Sequence, residues 1–213
     1  MGAMVKALDN ARSFIYQNAR PLDMARWNCL FENGERTEVI KCLSSYQNKD
    51  GGFGNALEPD CWNEKSTPLQ TWVATNIIKE IGLKDKTHPL ISGILGYLSS
   101  GNEFDGHRWH GLHTVQSNND YPHAPWWSYL YDEETSFNPT ASLIGFILAY
   151  ADENSSLYVL ACGLAQEAFG YFKKNFPLES MHETACFVDF YEYMKGCDIS
   201  GLLDLEEFRT LLQ

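Results

Sequence analysis

Apolar residues recur along this chain at helical spacing, and no stretch alternates strictly between apolar and polar positions. Residues 5–17 carry Val5, Leu8, Phe14 and Ile15 at helical intervals before Pro21 closes the segment. A short helical piece follows at 23–31, ended by Asn33-Gly34, a helix-stop and turn signal. Residues 35–46 place Val39, Ile40, Leu43 and Tyr46 on one stripe, the mark of an amphipathic helix. Thr67-Pro68 opens the next helix, because threonine can cap free amides and proline at the first helical position loses no hydrogen bond. Leu69, Trp72, Val73, Ile77 and Ile81 carry its apolar face to Gly82. His88-Pro89 starts a partner helix with Leu90, Ile91, Ile94, Leu95 and Leu98 inside, and Ser99-Ser100-Gly101 ends it.

Residues 102–137 break this rhythm, being rich in Gly, Asn, His, Trp, Tyr and Pro without a sustained period. A connection of that length inside a compact domain is functional or disordered, and its aromatic content argues for an ordered insertion. Asn138-Pro139-Thr140 then supplies a cap, and residues 141–151 are apolar nearly all round, so that helix must be covered on every side. Residues 156–175 set Leu160, Leu164, Ala168 and Phe172 opposite Gln166, Glu167, Lys173 and Lys174, which predicts a water-facing helix. Residues 182–194, with Ala185, Cys186, Phe187, Val188, Phe190 and Tyr191, again predict an enclosed helix, and 202–212 one more amphipathic one. Helices that alternate between water-facing and enclosed, joined in pairs, are what two concentric helical layers require. The fold class expected is all-α, with residues 5–213 as one domain, and Met1-Gly2-Ala3-Met4 reads as an appended tag remnant.

A length of 213 residues is enough for one well-cored domain. The net charge of −12, without any Lys/Arg cluster, argues against a nucleic-acid partner, since phosphate binding depends on basic residues. No apolar run reaches the roughly eighteen residues of a membrane span, and no basic-then-apolar leader opens the chain, which places the protein in the cytoplasm. Six cysteines without a CxxC pair suggest buried, reduced thiols rather than a zinc ribbon or a redox motif. No metal or other cofactor is implied.

The stretch Gln47-Asn48-Lys49-Asp50-Gly51-Gly52-Phe53-Gly54 resembles the Q, DGGFG repeat of the α/α toroid superfamily, which includes terpenoid (squalene and oxidosqualene) cyclases and protein prenyltransferase β subunits. In that superfamily the repeat closes an outer helix and leads to an inner one with a Thr-rich start, which Thr67 and Thr140 match here, and residues 95–109 carry a degraded copy around Phe104-Asp105-Gly106. The resemblance implies an arc of helical hairpins, and since this chain supplies about four where a ring takes about six, an incomplete one: an open arc, a homodimer-forming subunit or a piece of a longer protein. The glycines suit a turn with positive φ, the glutamine amide can tie exposed helix-end groups, and the aromatic plugs the gap between hairpins. The DxDD acid motif of the cyclases is absent, and Asp60 and Cys61 are adjacent where the prenyltransferase zinc set needs a residue between them, so neither site is carried over. A closer resemblance, to a bacterial branch of the superfamily, is carried by Leu57-Glu58-Pro59-Asp60-Cys61-Trp62-Asn63 and by residues 118–127; it implies a site without naming a substrate.

Glu58, Asp60 and Trp62 precede an expected inner helix and so fall near one rim of a central cavity. Two carboxylates beside an aromatic can run general acid and base chemistry, or Asp60 can cap helix amides while Glu58 is solvated. Asp120, Tyr121, His123, Trp126 and Trp127 form the other unusual cluster, suited to a ligand that stacks on aromatic faces and exchanges a proton, or equally to a proline-braced lid. His107, His110 and His113 recur at threes around Trp109, but the surrounding glycines speak against a helix and hence against a metal set; His110 is retained as a binding candidate. His182 and Glu183 read as cap residues facing the same rim. Two functions follow. One is an enzyme acting on a neutral isoprenoid-like or sugar-like ligand, with Asp60, Glu58, Asp120 and His123 as acids and bases and Trp62, Tyr121, Trp126, Trp127 and His110 as the binding surface. The other is a non-catalytic module that holds a ligand or another protein with the same aromatics.

Overall fold

The computed structural model describes residues 2–197 and 201–213, with side chains described from Lys6 onward. Among the described residues the protein is all-helical, with no β-strand longer than isolated bridges. Nine α-helices run α1 (Gly2–Asn18), α2 (Pro21–Phe31), α3 (Arg36–Ser44), α4 (Pro68–Glu80), α5 (Pro89–Ser99), α6 (Thr140–Tyr150), α7 (Ser156–Asn175), α8 (Met181–Lys195) and α9 (Leu205–Leu211). Two short 3-10 turns, Gln116–Asp120 and Pro125–Trp127, lie in the irregular segment. None of these helices is long and apolar enough to cross a membrane. Gly2, Ala3 and Met4, set aside as a tag, are helical; Met1 and the side chain of Val5 lie outside the description.

The chain divides into two compact units, and the division falls within α4. A helix of 13 residues is about 20 Å long, enough for its two ends to serve different cores. The first unit combines residues 1–46 with 77–83. Leu22, Ala25, Val39 and Leu43 are buried there, as are Ile77, Ile78, Ile81 and Leu83. Arg26 clamps Glu80 through two hydrogen bonds, Nε to Oε2 at 2.7 Å and Nη2 to Oε1 at 3.1 Å. The apolar positions of α1 do not bury as expected, since Leu8 and Phe14 are exposed.

The second unit comprises residues 47–76 and 84–213. Its core centres on α6, of which Thr140 through Leu148 are all buried, as an all-round apolar helix must be. Helix α6 packs on α7 and α8, and α9 packs on α8. The approach of α6 to α8 depends on Gly145, where a Cβ would lie 2.8 Å from Cδ2 of Tyr193. Phe208 of α9 is fully buried, with Phe169, Phe172 and Phe190 ring centroids 5.0–5.6 Å away. Helix α9 starts later than its periodicity suggests because the Asp204 carboxylate accepts from the amides of Glu206 and Glu207 and caps it there.

Two expectations about helix faces are corrected. Helix α8 is not enclosed: Glu183, Cys186, Phe187, Phe190, Tyr193 and Met194 form one buried stripe, and Val188 is exposed. On α7 the stripe is deeper than expected in the middle but leaves Leu160 exposed. The expected cap at residues 138–140 is replaced by a long-range bond. Thr140 Oγ1 accepts from Trp109 N at 2.9 Å, which ties the irregular segment to the start of α6. All six cysteines are free thiols, but only Cys61 and Cys186 are buried.

Candidate functional site

The turn at residues 47–54 is closed by its own backbone and by the side chains of Gln47, Asn48 and Asp50. Gln47 Nε2 donates to Gly51 O at 2.9 Å and to Leu90 O on α5 at 3.2 Å. Gly51 has φ +90° and packs so closely on α5 that a Cβ would lie 2.1 Å from Gly93 O. Phe53 is fully buried, and its amide donates to Thr71 Oγ1 on α4. Every polar group named here is consumed by architecture.

The chain beyond the turn is different. Residues 57–63 and 118–127 meet as a short antiparallel pairing, with Cys61 bridged to His123. Trp62 N donates to Pro122 O at 3.0 Å, and Ala124 N to Asp60 O at 2.9 Å. A buried amide network holds the two segments. Asn63 Nδ2 donates to Ser117 Oγ and to Asn118 Oδ1, both at 2.8 Å, and Asn118 Nδ2 donates to Trp127 O at 3.1 Å. Gln70 of α4 accepts from Leu57 N and donates to Asn63 O. These amides carry no chemistry of their own, but removing one would strand buried partners.

This pairing delivers Asp60 to two tryptophans. Trp127 Nε1 donates to Asp60 Oδ1 at 2.7 Å and Trp126 Nε1 to Oδ2 at 3.1 Å. Both carboxylate oxygens are thus acceptors from fixed indoles, and the consequence is geometric: the two rings are held in place. Trp127 is buried against Cys61 and Leu69, while Trp126 keeps 52% of its surface exposed although its only polar atom is engaged. A third tryptophan, Trp72, is oriented from behind. With the Asn76 amide set to satisfy both neighbours, its oxygen accepts from Trp72 Nε1 at 3.3 Å and its nitrogen donates to Asp189 Oδ2 at 3.1 Å.

The three tryptophans, with Leu69 and Leu112, wall a cavity of about 420 Å³ whose polar lining is Glu58, Asp60, Asn138 and His182. No Lys or Arg is among its lining residues. Cys61 sits behind the wall, where burial, and to a lesser degree Asp60 and Glu58, push its thiol up from the ordinary value, so it stays protonated and unreactive.

Of the carboxylates and histidines expected to act together, only Glu58 and Asp60 share this cavity. Asp120 is exposed and pairs with Lys65 at 3.2 Å, beside a separate depression that also holds Asp50 and Glu103. The His123 ring is engaged locally, Nδ1 with Tyr121 O at 2.6 Å and Nε2 with Ser128 Oγ at 3.0 Å. Trp62 is exposed, its indole bonded to Pro59 O, and Tyr121 contributes its backbone to the loop. His110 pairs with Glu103 at 3.0 Å, His107 with Glu167 at 2.9 Å, and His113 with Ser128 O at 3.0 Å, so the three histidines diverge to separate partners. His182, read as a cap residue, lies on the cavity instead; Ser180 caps α8.

Two glutamates are buried, Glu134 with no motif to announce it and Glu183, read from the sequence as a helix cap. Glu134 is held by three short hydrogen bonds: Oε2 accepts from Gly111 N and Thr114 Oγ1, both at 2.8 Å, and Oε1 from Ser136 N at 2.9 Å. Glu183 accepts from Phe137 N at 2.6 Å and, loosely, from Tyr171 Oη at 3.5 Å. Comparison with protein-family models, with curated proteins and with solved structures finds no match.

Proposed function

We propose that the second unit is an α/α toroid-like set of hairpins whose tryptophan-walled cavity binds a neutral, ring-bearing polyhydroxylated ligand, in other words a sugar unit. The architectural part is supported by the turn at 47–54, where Gln47 bonds α5 and Phe53 plugs the gap to α4, the roles expected of that repeat. The ligand class rests on one observation: Asp60 holds the indole N–H groups of Trp126 and Trp127, so these rings offer faces rather than donors to the cavity. A pyranose has an apolar C–H face that gains dispersion and burial against such rings, and hydroxyl edges that donate to carboxylates. Glu58, Asn138 and His182 supply edge partners. An isoprenoid diphosphate fits poorly, because two carboxylates and no Lys or Arg face the cavity.

Asp60 is a positioning residue in this reading. A second reading, catalysis, is favoured by one fact, that Glu58 and His182 line the same cavity and could act as an acid and base pair. Titration of intrinsic tryptophan fluorescence with β-1,4-linked glucose and N-acetylglucosamine trisaccharides, with farnesol and farnesyl diphosphate as the apolar and anionic arms, tests the ligand class. A saturable response to a trisaccharide that is lost in Trp126→Ala is expected; a response to the farnesyl compounds alone would refute it. Release of reducing ends from the bound trisaccharide, abolished in Glu58→Gln, would favour the catalytic reading, and unchanged trisaccharide the binding one.

A further inference from the structure

Beside the tryptophan cavity lies a second one, of about 500 Å³, with a different lining: Thr135, Ser136, Tyr171, Asn175, Ser180 and Glu183 contribute hydroxyl, amide and carboxylate groups. The two cavities share Leu112 and Asn138 as common lining residues. The first turn of α8 serves both, with His182 on the aromatic side and Glu183 on the polar side. Both volumes lie within the range of roughly 300–1,000 Å³ typical of small-ligand sites.

We propose that the polar cavity is a second subsite for the same ligand, so that the protein holds an oligosaccharide of at least two units across Leu112 and Asn138, with Glu183 as the acceptor for hydroxyls of the second unit. This rests on the sugar reading of the first cavity. The contrast between the two buried glutamates carries the assignment. Glu134 receives three short hydrogen bonds, whereas Glu183 receives one short bond and one at 3.5 Å, although a carboxylate can accept about four. Glu183 is 6% exposed and lines the cavity, so a buried carboxylate with acceptor capacity to spare stands at this wall. Hydroxyl donors satisfy a buried carboxylate without bringing in a second charge. The Tyr171 phenol is held protonated by burial and then by Glu183, so it stays a weak donor to that carboxylate. Arg108, stacked 4.4 Å from the Phe137 ring centroid and 5.9 Å from that of Tyr171, supplies a positive charge behind this wall without being among the lining residues. Glu179 adds a second carboxylate to the lining, and no Lys or Arg lines the chamber, so anionic units are disfavoured.

The test is the chain-length dependence of affinity, by titration calorimetry with glucose and N-acetylglucosamine and their β-1,4-linked di- and trisaccharides. The expected result is a gain of about tenfold or more from mono- to disaccharide in one series, the worth of one charge-assisted hydrogen bond. Glu183→Gln should remove most of that gain and leave monosaccharide affinity unchanged. Because Glu183 also accepts from the buried Phe137 amide, Thr135→Trp, an exposed position that would fill the polar chamber, gives an independent measurement with the same expected outcome. Equal affinity for mono- and disaccharides, or variants that weaken both alike, would overturn the second subsite while leaving the first reading in place. Failure of every sugar to bind would overturn both.

Discussion

The turn at residues 47–54 and the segment at 57–63 are consecutive in the chain, each is packed against a distant partner, and they are built to opposite ends. In the turn, Gln47, Gly51 and Phe53 meet other parts of the fold with every named polar group consumed. In the segment that follows, Asp60 uses its carboxylate to hold two indoles, one of which stays largely open to solvent. Saturated contacts hold a fold in place. Asp60 instead fixes the orientation of a ring that stays open to solvent, which is the feature the proposed sugar site rests on.

The sharpest way to break this comparison is to attack the turn. Gly51→Ala would place a methyl group 2.1 Å from Gly93 O at φ +90°, and a loss of about 3 kcal/mol or more in urea unfolding is expected. A milder effect would mean that the turn is not locked onto α5. Asp60→Asn comes next. The amide retains one acceptor and presents a donor to the other indole, so a loss of about 1–3 kcal/mol and a changed tryptophan emission are expected; unaltered emission would show that the indoles are positioned by something else. Trp126→Ala should separate the two regions, with stability within about 0.5 kcal/mol of the parent and sugar affinity down about tenfold. Equal losses in both would make Trp126 a structural residue. Asp120→Asn should do least, because its ion pair with Lys65 has both side chains more than half exposed and such pairs contribute about 0–1 kcal/mol; an effect on ligand affinity would place Asp120 in the site after all.

Much of the fold was legible in the chain. The apolar periodicity located the nine α-helices of the described residues to within a few residues at their ends, because that pattern is local and each helix must bury its own stripe. Face assignments were less secure. Helix α8 reads as apolar all round because Ala185 and Val188 complete its circumference, yet both are exposed, since the buried stripe through Phe187 and Phe190 already fills the contact with α6 and α9. In the site, Glu58, Asp60, Trp126 and Trp127 stood out by composition and do come together. Asp120 and His123 stood out equally, but backbone pairing at Cys61 and His123 sends their side chains to Lys65 and Ser128 instead. Glu134 and Asn76 were invisible and Glu183 read only as a helix cap, because an isolated polar residue on or near a helix has no signature until its partners are known.

By itself, then, the sequence determined the helical class, the positions of the helices and the glycine turn, all consequences of backbone preference and spacing within about twenty residues. Which carboxylate meets which aromatic was decided only by tertiary structure. Asp60 finds Trp126 and Trp127 across separations of 66 and 67 residues, and Glu183 finds Phe137 across 46. No local period encodes contacts at that range; they are selected by how the irregular segment is tied, through Asn63, Asn118 and Thr140, to the helices on either side of it.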